Sequence, residues 1–258
     1  MADEFSQQNL AHAHFRQVDL TGARFEQVRF GGATFHDVDL SGVRFRAAWV
    51  RDVVIAGELE SLRIHDIDVI PLVEAELDRR HPERTQLRPT NADGFRRAWT
   101  IIEDLWTATV SRARGLDAAL LHEQVDGEWS FIETLRHLAF ATDCWINRAL
   151  LGDPAPWHPL DLPWDEAPAI AGVPHDRDVR PSLDEALVLR NDRMATVRCV
   201  VDSLTDEQLT GFTEPVLEPG FPESESFPVS EVLRVVLNEE WWHRRFAERD
   251  LDVLAARS

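Results

Sequence analysis

The 258-residue sequence contains no lysine and no tyrosine, and it has only two cysteines and two methionines. All 27 basic side chains are therefore arginine, a bias that we attribute to a GC-rich genome. Two cysteines build no disulfide framework, which suits a reducing compartment. No apolar run reaches the length of a membrane-spanning helix, and the N-terminal MADEFSQQNL lacks the basic flank and apolar stretch of a signal peptide. We therefore expect a cytoplasmic protein that does not enter membranes.

The excess of acidic side chains excludes one class of partner. The formal net charge is −19 at pH 7, whereas contacts with nucleic-acid phosphates need a basic surface. We therefore expect no nucleic-acid binding, and we interpret the acidity as a contribution to solubility. A hydrophobic content of 44% is ordinary for globular domains, and the length suffices for two of them.

The N-terminal quarter of the sequence repeats with a period of five residues. Every fifth position is apolar, and a small or β-branched residue stands two positions before most of these. The apolar positions are Phe5, Leu10, Phe15, Leu20, Phe25, Phe30, Phe35, Leu40, Phe45, Val50 and Ile55. Neither a helix nor a flat strand keeps this phase, whereas a chain that turns a corner every five residues does. Four such faces would form one square coil with both kinds of residue pointing inward.

These units, which include VDL, ARF, ATF and VRF, resemble the pentapeptide-repeat family. The resemblance implies a right-handed quadrilateral β-helix. After Ile55 the phase slips by one residue, and Leu59, Ile64 and Val69 continue it. We therefore expect an imperfect last coil that ends near Pro71, within a β-helix domain over residues 1–72.

The resemblance also bears on the partners of this domain. Some family members mimic DNA, but residues 1–70 carry eleven acidic and seven basic side chains, a net charge of only −4. The charge therefore disfavours DNA mimicry. We expect a docking or oligomerisation module that binds a protein partner or a second copy of the chain as a homodimer.

Beyond the repeats the hydrophobic period becomes helical. Residues 73–90 are charged and interrupted by proline, which predicts a short helix and a linker. Each of the four segments that follow begins at a residue that can cap a helix, and two of them begin with an S-x-x-E capping box. These helices are predicted to begin at Asn91, Ser130, Ser182 and Ser230 and to end near Arg114, Leu151, Leu204 and Leu254. Four amphipathic helices predict an up-down four-helix bundle over residues 91–258, and hence a multidomain α and β protein.

Two connections between these helices, residues 152–181 and 205–229, are unusually long and rich in proline. Loops of this length within a domain are functional or disordered. The aromatic residues Trp157, Trp164 and Phe221 within them predict that the loops fold back over one end of the bundle.

Histidine and acidic side chains share the faces of two predicted helices. His137 lies in the second helix, and the fourth helix contains Glu239, Glu240 and His243. Because Glu239 and Glu240 precede His243 by four and three residues, either carboxylate can share a helix face with the imidazole. Two histidines and one carboxylate form a three-ligand set with open coordination positions, which is typical of catalytic metals. Pairing of the carboxylate with an arginine is the alternative, because a buried carboxylate needs a partner.

The segments EWSFIETLRHLAFATDCW and VLNEEWWHRRFAERDLDVL resemble helices two and four of the DinB-like superfamily. The resemblance implies a divalent metal, such as zinc, nickel, iron or manganese, held by one histidine on helix two and an H-x-x-x-H pair on helix four. His137 matches the first ligand and His243 the last. Glu239 stands in place of the remaining histidine, with Glu240 as the rival carboxylate.

The resemblance implies an activity as well. Some members of the superfamily are thiol S-transferases or isomerases that use a low-molecular-weight thiol such as mycothiol. We therefore expect a metal-dependent transferase or hydrolase that acts on a small-molecule substrate. The alternative is a non-catalytic interaction or scaffold protein. We interpret Cys144, on the same stripe as His137, as a packing thiol in preference to an extra ligand.

Overall fold

The computed structural model describes residues 5–36, 38–57, 59–165 and 167–257. The chain divides into two units, Met1–Gly57 and Glu58–Ser258, which we call the repeat unit and the helical unit. The domain limits predicted from the sequence, residues 1–72, 73–90 and 91–258, stay predictions. Within the described ranges, no helix is both long and apolar enough to cross a membrane.

The five-residue period of the sequence is present in the backbone of the repeat unit. Residues with positive φ recur every five positions, two residues after the apolar position of each unit. They are Gln7, His12, Gln17, Gly22, Gln27, Gly32, Gly42, Ala47, Asp52 and Gly57. At alternate corners, a backbone N–H donates to the carbonyl three residues earlier, as from Ala23 to Leu20 at 2.8 Å. The period seen in the sequence is therefore the period of the corners.

The large apolar side chains of the repeat unit are exposed, which corrects the expectation that they fill an interior. Phe15 is 61% exposed and Phe45 75%, and every described residue between 5 and 57 is exposed. The hydrogen bonds that form the corners are local, and none of the described residues in this unit belongs to a strand. A repeat protein buries its apolar residues where neighbouring repeats stack, and local corners alone do not provide that stacking.

A short hairpin takes the place of the predicted last coil. Strand β1 (Arg63–Ile64) pairs antiparallel with strand β2 (Ile67–Asp68). His65 and Asp66 between them both have positive φ, as a type I′ turn requires. Because this turn reverses the chain, Ile64 and Val69 do not continue the coil, and that part of the prediction is wrong.

The rest of the helical unit consists of helices and loops. Helix α1 (Ile70–Arg80) and a 3₁₀ turn (Pro82–Leu87) confirm the short helix that was predicted before the bundle. The longer helices are α2 (Ala92–Ala113), α3 (Phe131–Thr142), α4 (Leu183–Ser203) and, after the one-turn α5 (Asp206–Leu209), α6 (Val229–Ala255). Helix α3 continues into a π-helical segment, Asp143–Leu150, and a 3₁₀ turn (Leu120–His122) lies between α2 and α3.

The capping residues explain where these helices begin. The Asn91 side chain accepts a hydrogen bond from the backbone of Gly94, and Ser130 and Ser182 form complete capping boxes, so three predicted starts are confirmed. The fourth is wrong, because α6 begins at Val229 with Pro228 as its N-cap. Pro228 has a φ of −58° that suits a helix start, and its carbonyl accepts the first helical hydrogen bond from Val232 at 3.1 Å.

Helices α2, α3, α4 and α6 share one hydrophobic core. Helix α3 packs against α4 and α6, and α2 packs against the same two helices. Trp99 and Ile102 of α2, Val232 of α6 and Leu251 near its end are fully enclosed. Because α3 and α6 are direct neighbours, the helix that carries His137 faces the one that carries Glu239 and His243.

Two buried arginines fasten the long loops to α3 and its π-helical extension. The Arg136 guanidinium donates to three carbonyls of the first loop, those of Leu160, Asp176 and Val179, at 2.7 to 3.2 Å. Arg148 donates to carbonyls of both loops, those of Pro154, Val216, Glu218 and Pro222, at 2.5 to 3.4 Å. The rings of Trp157 and Trp164 also contact Phe140 of α3, and Trp164 contacts Phe221. The prediction that both loops fold back on the helices is confirmed.

Candidate metal centre

His137 lies two turns into α3, where the Ser130 capping box fixes the start of the helix. Its Nδ1 atom is 3.0 Å from the carbonyl oxygen of Leu162 in the first long loop. A carbonyl only accepts hydrogen bonds, so Nδ1 carries the proton and Nε2 keeps a free lone pair. This is the arrangement that orients metal-binding histidines in proteins.

Glu239 and His243 stand one turn apart on α6 and face His137. The Nε2 atom of His243 is 3.0 Å from Oε2 of Glu239, and Nε2 of His137 is 3.5 Å from the same oxygen. One ligand atom from each residue lies within 4.8 Å of the others. His137 is buried, whereas Glu239 and His243 are partly exposed. Two nitrogens and one oxygen therefore converge, and two of the three residues that carry them are partly exposed.

Glu240 occupies a different place from its neighbour. Its side chain is fully buried, and both carboxylate oxygens accept hydrogen bonds from Nη2 of Arg190 on α4. Burial raises the pKa of Glu240, while the Arg190 charge acts in the opposite direction. Of the four residues singled out in the sequence, the structure thus brings His137, Glu239 and His243 together and pairs Glu240 with an arginine.

The ionisation states of His137 and Glu239 suit a divalent cation. Burial lowers the pKa of His137, which keeps the ring neutral. Burial also works against ionisation of Glu239, but the adjoining His137 and His243 rings lower the pKa of that carboxyl below its usual range. Among the described residues, its buried Oε2 atom has no donor in hydrogen-bond geometry, although Nε2 of His243 lies 3.0 Å away. A cation shared with the two imidazoles would satisfy this oxygen, so the residues fit a metal.

An indole ring covers one side of the three residues. The Trp129 ring centroid lies 4.3 Å from that of His137 and 5.5 Å from that of His243, and it is nearly parallel to the latter at 12°. The Trp129 Nε1–H donates to Asp165 of the first loop at 3.1 Å, and Asp165 pairs with Arg177 at 2.6 Å. Sequence reasoning missed Trp129, although an apolar residue directly before a capping box is a recognisable packing signal.

Cys144 agrees with its interpretation as a packing residue. The thiol is buried at the start of the π-helical segment. Burial, followed by the charges of Asp161 and Asp143, raises its pKa well above the usual range. A thiol that stays protonated is a poor nucleophile and a poor metal ligand.

Comparison with known families yields two matches within the chain. A model of the DinB superfamily matches residues 101–247, which is more than half of the chain and includes His137, Glu239 and His243. A model of pentapeptide repeats, in nine copies, matches residues 4–44. No curated protein and no solved structure matches the chain significantly.

Proposed function

Because the chain belongs to the DinB superfamily and carries pentapeptide repeats as predicted, we propose that its helical unit is a four-helix bundle that binds a divalent metal. The proposed ligands are His137, Glu239 and His243. The observation that carries the proposal is the convergence of their ligand atoms within 4.8 Å. Imidazole and carboxylate ligands suit zinc, nickel, iron or manganese, and the identity of the metal is left to experiment.

The surrounding residues keep this ligand set in place. The Leu162 carbonyl holds His137 in the tautomer whose Nε2 lone pair is free. The buried pair between Glu240 and Arg190 fixes the rotation of α6, because turning Glu240 toward the histidines would leave the guanidinium without its carboxylate. Glu239 is therefore the carboxylate that we assign to the metal.

The proposed reaction follows from the open coordination positions of a three-ligand site. A bound divalent metal lowers the pKa of a coordinated thiol or water enough to ionise it near neutral pH. We propose a transferase that uses a low-molecular-weight thiol of the mycothiol type, or a hydrolase that uses water, acting on a small molecule. Trp129 shields one side of the histidines from solvent and offers the substrate a flat apolar wall.

Metal content tests the ligand assignment directly. We expect about one divalent metal per chain in protein purified without an affinity tag, measured by plasma mass spectrometry. The variants His137→Ala, Glu239→Ala and His243→Ala should each lose it. The exposed-loop variant His175→Ala is a matched control that should retain it. Protein that holds no metal and takes up none of zinc, nickel, manganese or iron would refute the proposal.

Activity is tested with the metal-loaded protein, a small thiol and an electrophilic acceptor. Thiol consumption should fall to the uncatalysed rate in His243→Ala and persist in His175→Ala. Consumption that is equal in both variants would refute the thiol-transfer reaction while leaving metal binding intact.

For the repeat unit we propose a docking or oligomerisation role. The observation in its favour is the row of exposed apolar side chains at five-residue intervals, in which the rings of Phe25, Phe30 and Phe35 lie 5.6 and 5.8 Å apart. Replacing these three with serine in the full chain should abolish a homodimer or a specific partner complex, as measured by light scattering and affinity capture. A wild-type chain that is monomeric and captures no specific partner would refute this role.

A further inference from the structure

A second group of buried ionisable side chains lies where the first long loop meets the π-helical segment. Asp143 opens that segment and is fully enclosed. Its Oδ1 atom is 2.7 Å from Nε of Arg193 on α4, and its Oδ2 accepts from Nη2 of the same residue at 3.0 Å. Asn147 donates to Oδ1 at 2.5 Å. Burial raises the pKa of Asp143, whereas the hydrogen bonds from Arg193 and Asn147 act in the opposite direction and favour its carboxylate form.

Asp161 of the loop is equally enclosed and interacts with the side chain of Asp143. Its Oδ2 accepts from the backbone N–H of His158 at 2.7 Å. Its Oδ1 is buried and has no hydrogen-bond partner within the described ranges. Two ionised carboxylates beside a single guanidinium would leave one buried negative charge uncompensated. A proton on Asp161 Oδ1 removes that charge and supplies the missing hydrogen bond.

The groups around Asp161 agree with this protonation. Burial, followed by the charge of Asp143, raises the pKa of Asp161 to about 8. The Arg193 guanidinium acts on both carboxyls, and it also pairs with Asp192 at the surface. Two further titratable side chains lie nearby: Cys144, whose pKa is raised by burial, and His158, whose Nδ1 accepts from the backbone N–H of Leu160 at 3.1 Å.

Asp161 directly precedes the residue whose carbonyl orients His137, which links the Asp161–Asp143 pair to the metal site. The next residue, Leu162, is fully buried, and its carbonyl accepts the hydrogen bond from Nδ1 of His137. We propose that Asp161 is a carboxylic acid at neutral pH, that its proton bridges to Asp143, and that this bridge holds the Leu162 carbonyl on His137. Asp161 and Asp143 are then positioning residues for the metal ligand. The last step rests on the proposed function, whereas the shared proton does not.

The shared proton is tested on metal-free protein. Infrared difference spectra should show one protonated carboxyl in the wild type that ionises near pH 8. Asp161→Asn should lack this band, and the exposed-loop control Asp178→Asn should keep it. A wild type without the band, or a band that survives Asp161→Asn, would overturn the shared proton.

Urea unfolding of the same metal-free proteins gives a second reading. The native pKa of Asp161 is raised, so its stabilising effect is complete below the unfolded pKa near 4 and is lost as the pH rises through about 8. The Asp161→Asn variant lacks this loss. Its unfolding midpoint should therefore rise relative to the wild type between pH 5 and pH 9. A pH-independent difference between the two midpoints would count against the proposal.

Zinc titration tests the link to His137. The asparagine amide retains a donor toward Asp143, so Asp161→Asn mimics the protonated state at every pH. Between pH 7 and pH 9 the zinc Kd of the wild type should rise relative to that of Asp161→Asn by up to about tenfold, the ratio set by ionisation near pH 8. Asp161→Ala, which has no bridge, should bind zinc more weakly than Asp161→Asn already at pH 7.

The outcomes of the zinc titration separate the two proposals. A constant ratio of Kd values across this pH range would overturn the positioning role. Zinc that fails to bind any of the proteins would overturn the positioning role together with the metal site, and the infrared result would still decide the shared proton.

Discussion

The repeat unit and the helical unit each follow a period that is visible in the sequence, but the period determines different things in the two. In the repeat unit it sets the backbone corners at positions such as Gly22 and Gly32, while the apolar side chains remain exposed. In the helical unit it sets which side chains enter a common core. A local rule is therefore sufficient for a regular backbone, whereas burial depends on contacts between distant segments.

Removing one large side chain from each unit tests this difference in burial most directly. Trp99→Ala removes a fully buried indole from α2, leaves a cavity in the core, and should lower the free energy of unfolding by about 3–5 kcal/mol. Phe45→Ala removes a ring that is 75% exposed and should change it by less than about 0.5 kcal/mol. Urea unfolding followed by tryptophan fluorescence measures the first change, and far-UV circular dichroism measures both. Equal losses would mean that the repeat unit has a buried core after all.

The buried ion pair between Glu240 and Arg190 also contributes to the stability of the helical unit. Glu240→Ala leaves the Arg190 guanidinium buried without its carboxylate and should cost about 3 kcal/mol. The double variant Glu240→Met with Arg190→Leu removes both charges and should restore most of that stability. The measurement is the denaturant midpoint of all three proteins. A double variant as unstable as Glu240→Ala would show that packing, and not the unpaired charge, causes the loss.

Adjacent glycines test whether the repeat unit depends on its corners. Gly32 has a φ of +76°, whereas its neighbour Gly31 has no such strain, and an added Cβ would meet no atom at either position. Gly32→Ala should therefore destabilise the repeat unit by about 1–2 kcal/mol, and Gly31→Ala should be neutral or slightly stabilising. Hydrogen exchange of amides in residues 5–36 reports the difference. Identical exchange in both variants would show that the stability of the repeat unit does not depend on the positive φ at Gly32.

The two capping boxes give the smallest expected effect and the most specific one. Ser130→Ala and Ser182→Ala each remove a side-chain cap and should cost about 1 kcal/mol. Only Ser130 begins the helix that carries His137, so only its loss should also weaken zinc binding, by a few-fold. Calorimetric unfolding and zinc titration of both variants provide the check. If both variants bind zinc equally well, the start of α3 does not position the ligand.

Local chemistry explains the parts of the fold that the sequence predicted correctly. Capping by Asn91, Ser130 and Ser182 uses side chains within three residues of the groups they satisfy. The wrong start at Ser230 has the same origin, because Pro228 two positions earlier already provides a helix-compatible φ.

The sequence predicted those features of the candidate site that depend on spacing along a single helix. The spacing of Glu239 and Glu240 from His243 left both carboxylates open. The choice between them depends on Arg190, which is 50 residues away in sequence and reaches Glu240 only through the packing of α4 on α6. The Leu162 carbonyl likewise reaches His137 only once the loop has folded back.

The π-helical segment that follows α3 has a consequence for how this chain aligns with relatives. A π-helix joins residues five apart, so each of its turns takes in about one residue more than an α-helical turn. Deleting a single residue between Asp143 and Leu150 would let the segment relax to an α-helix and rotate its later residues, Arg148 among them, about the helix axis. A relative without the π-helical turn would therefore differ from this chain by a one-residue gap, just after the histidine of α3.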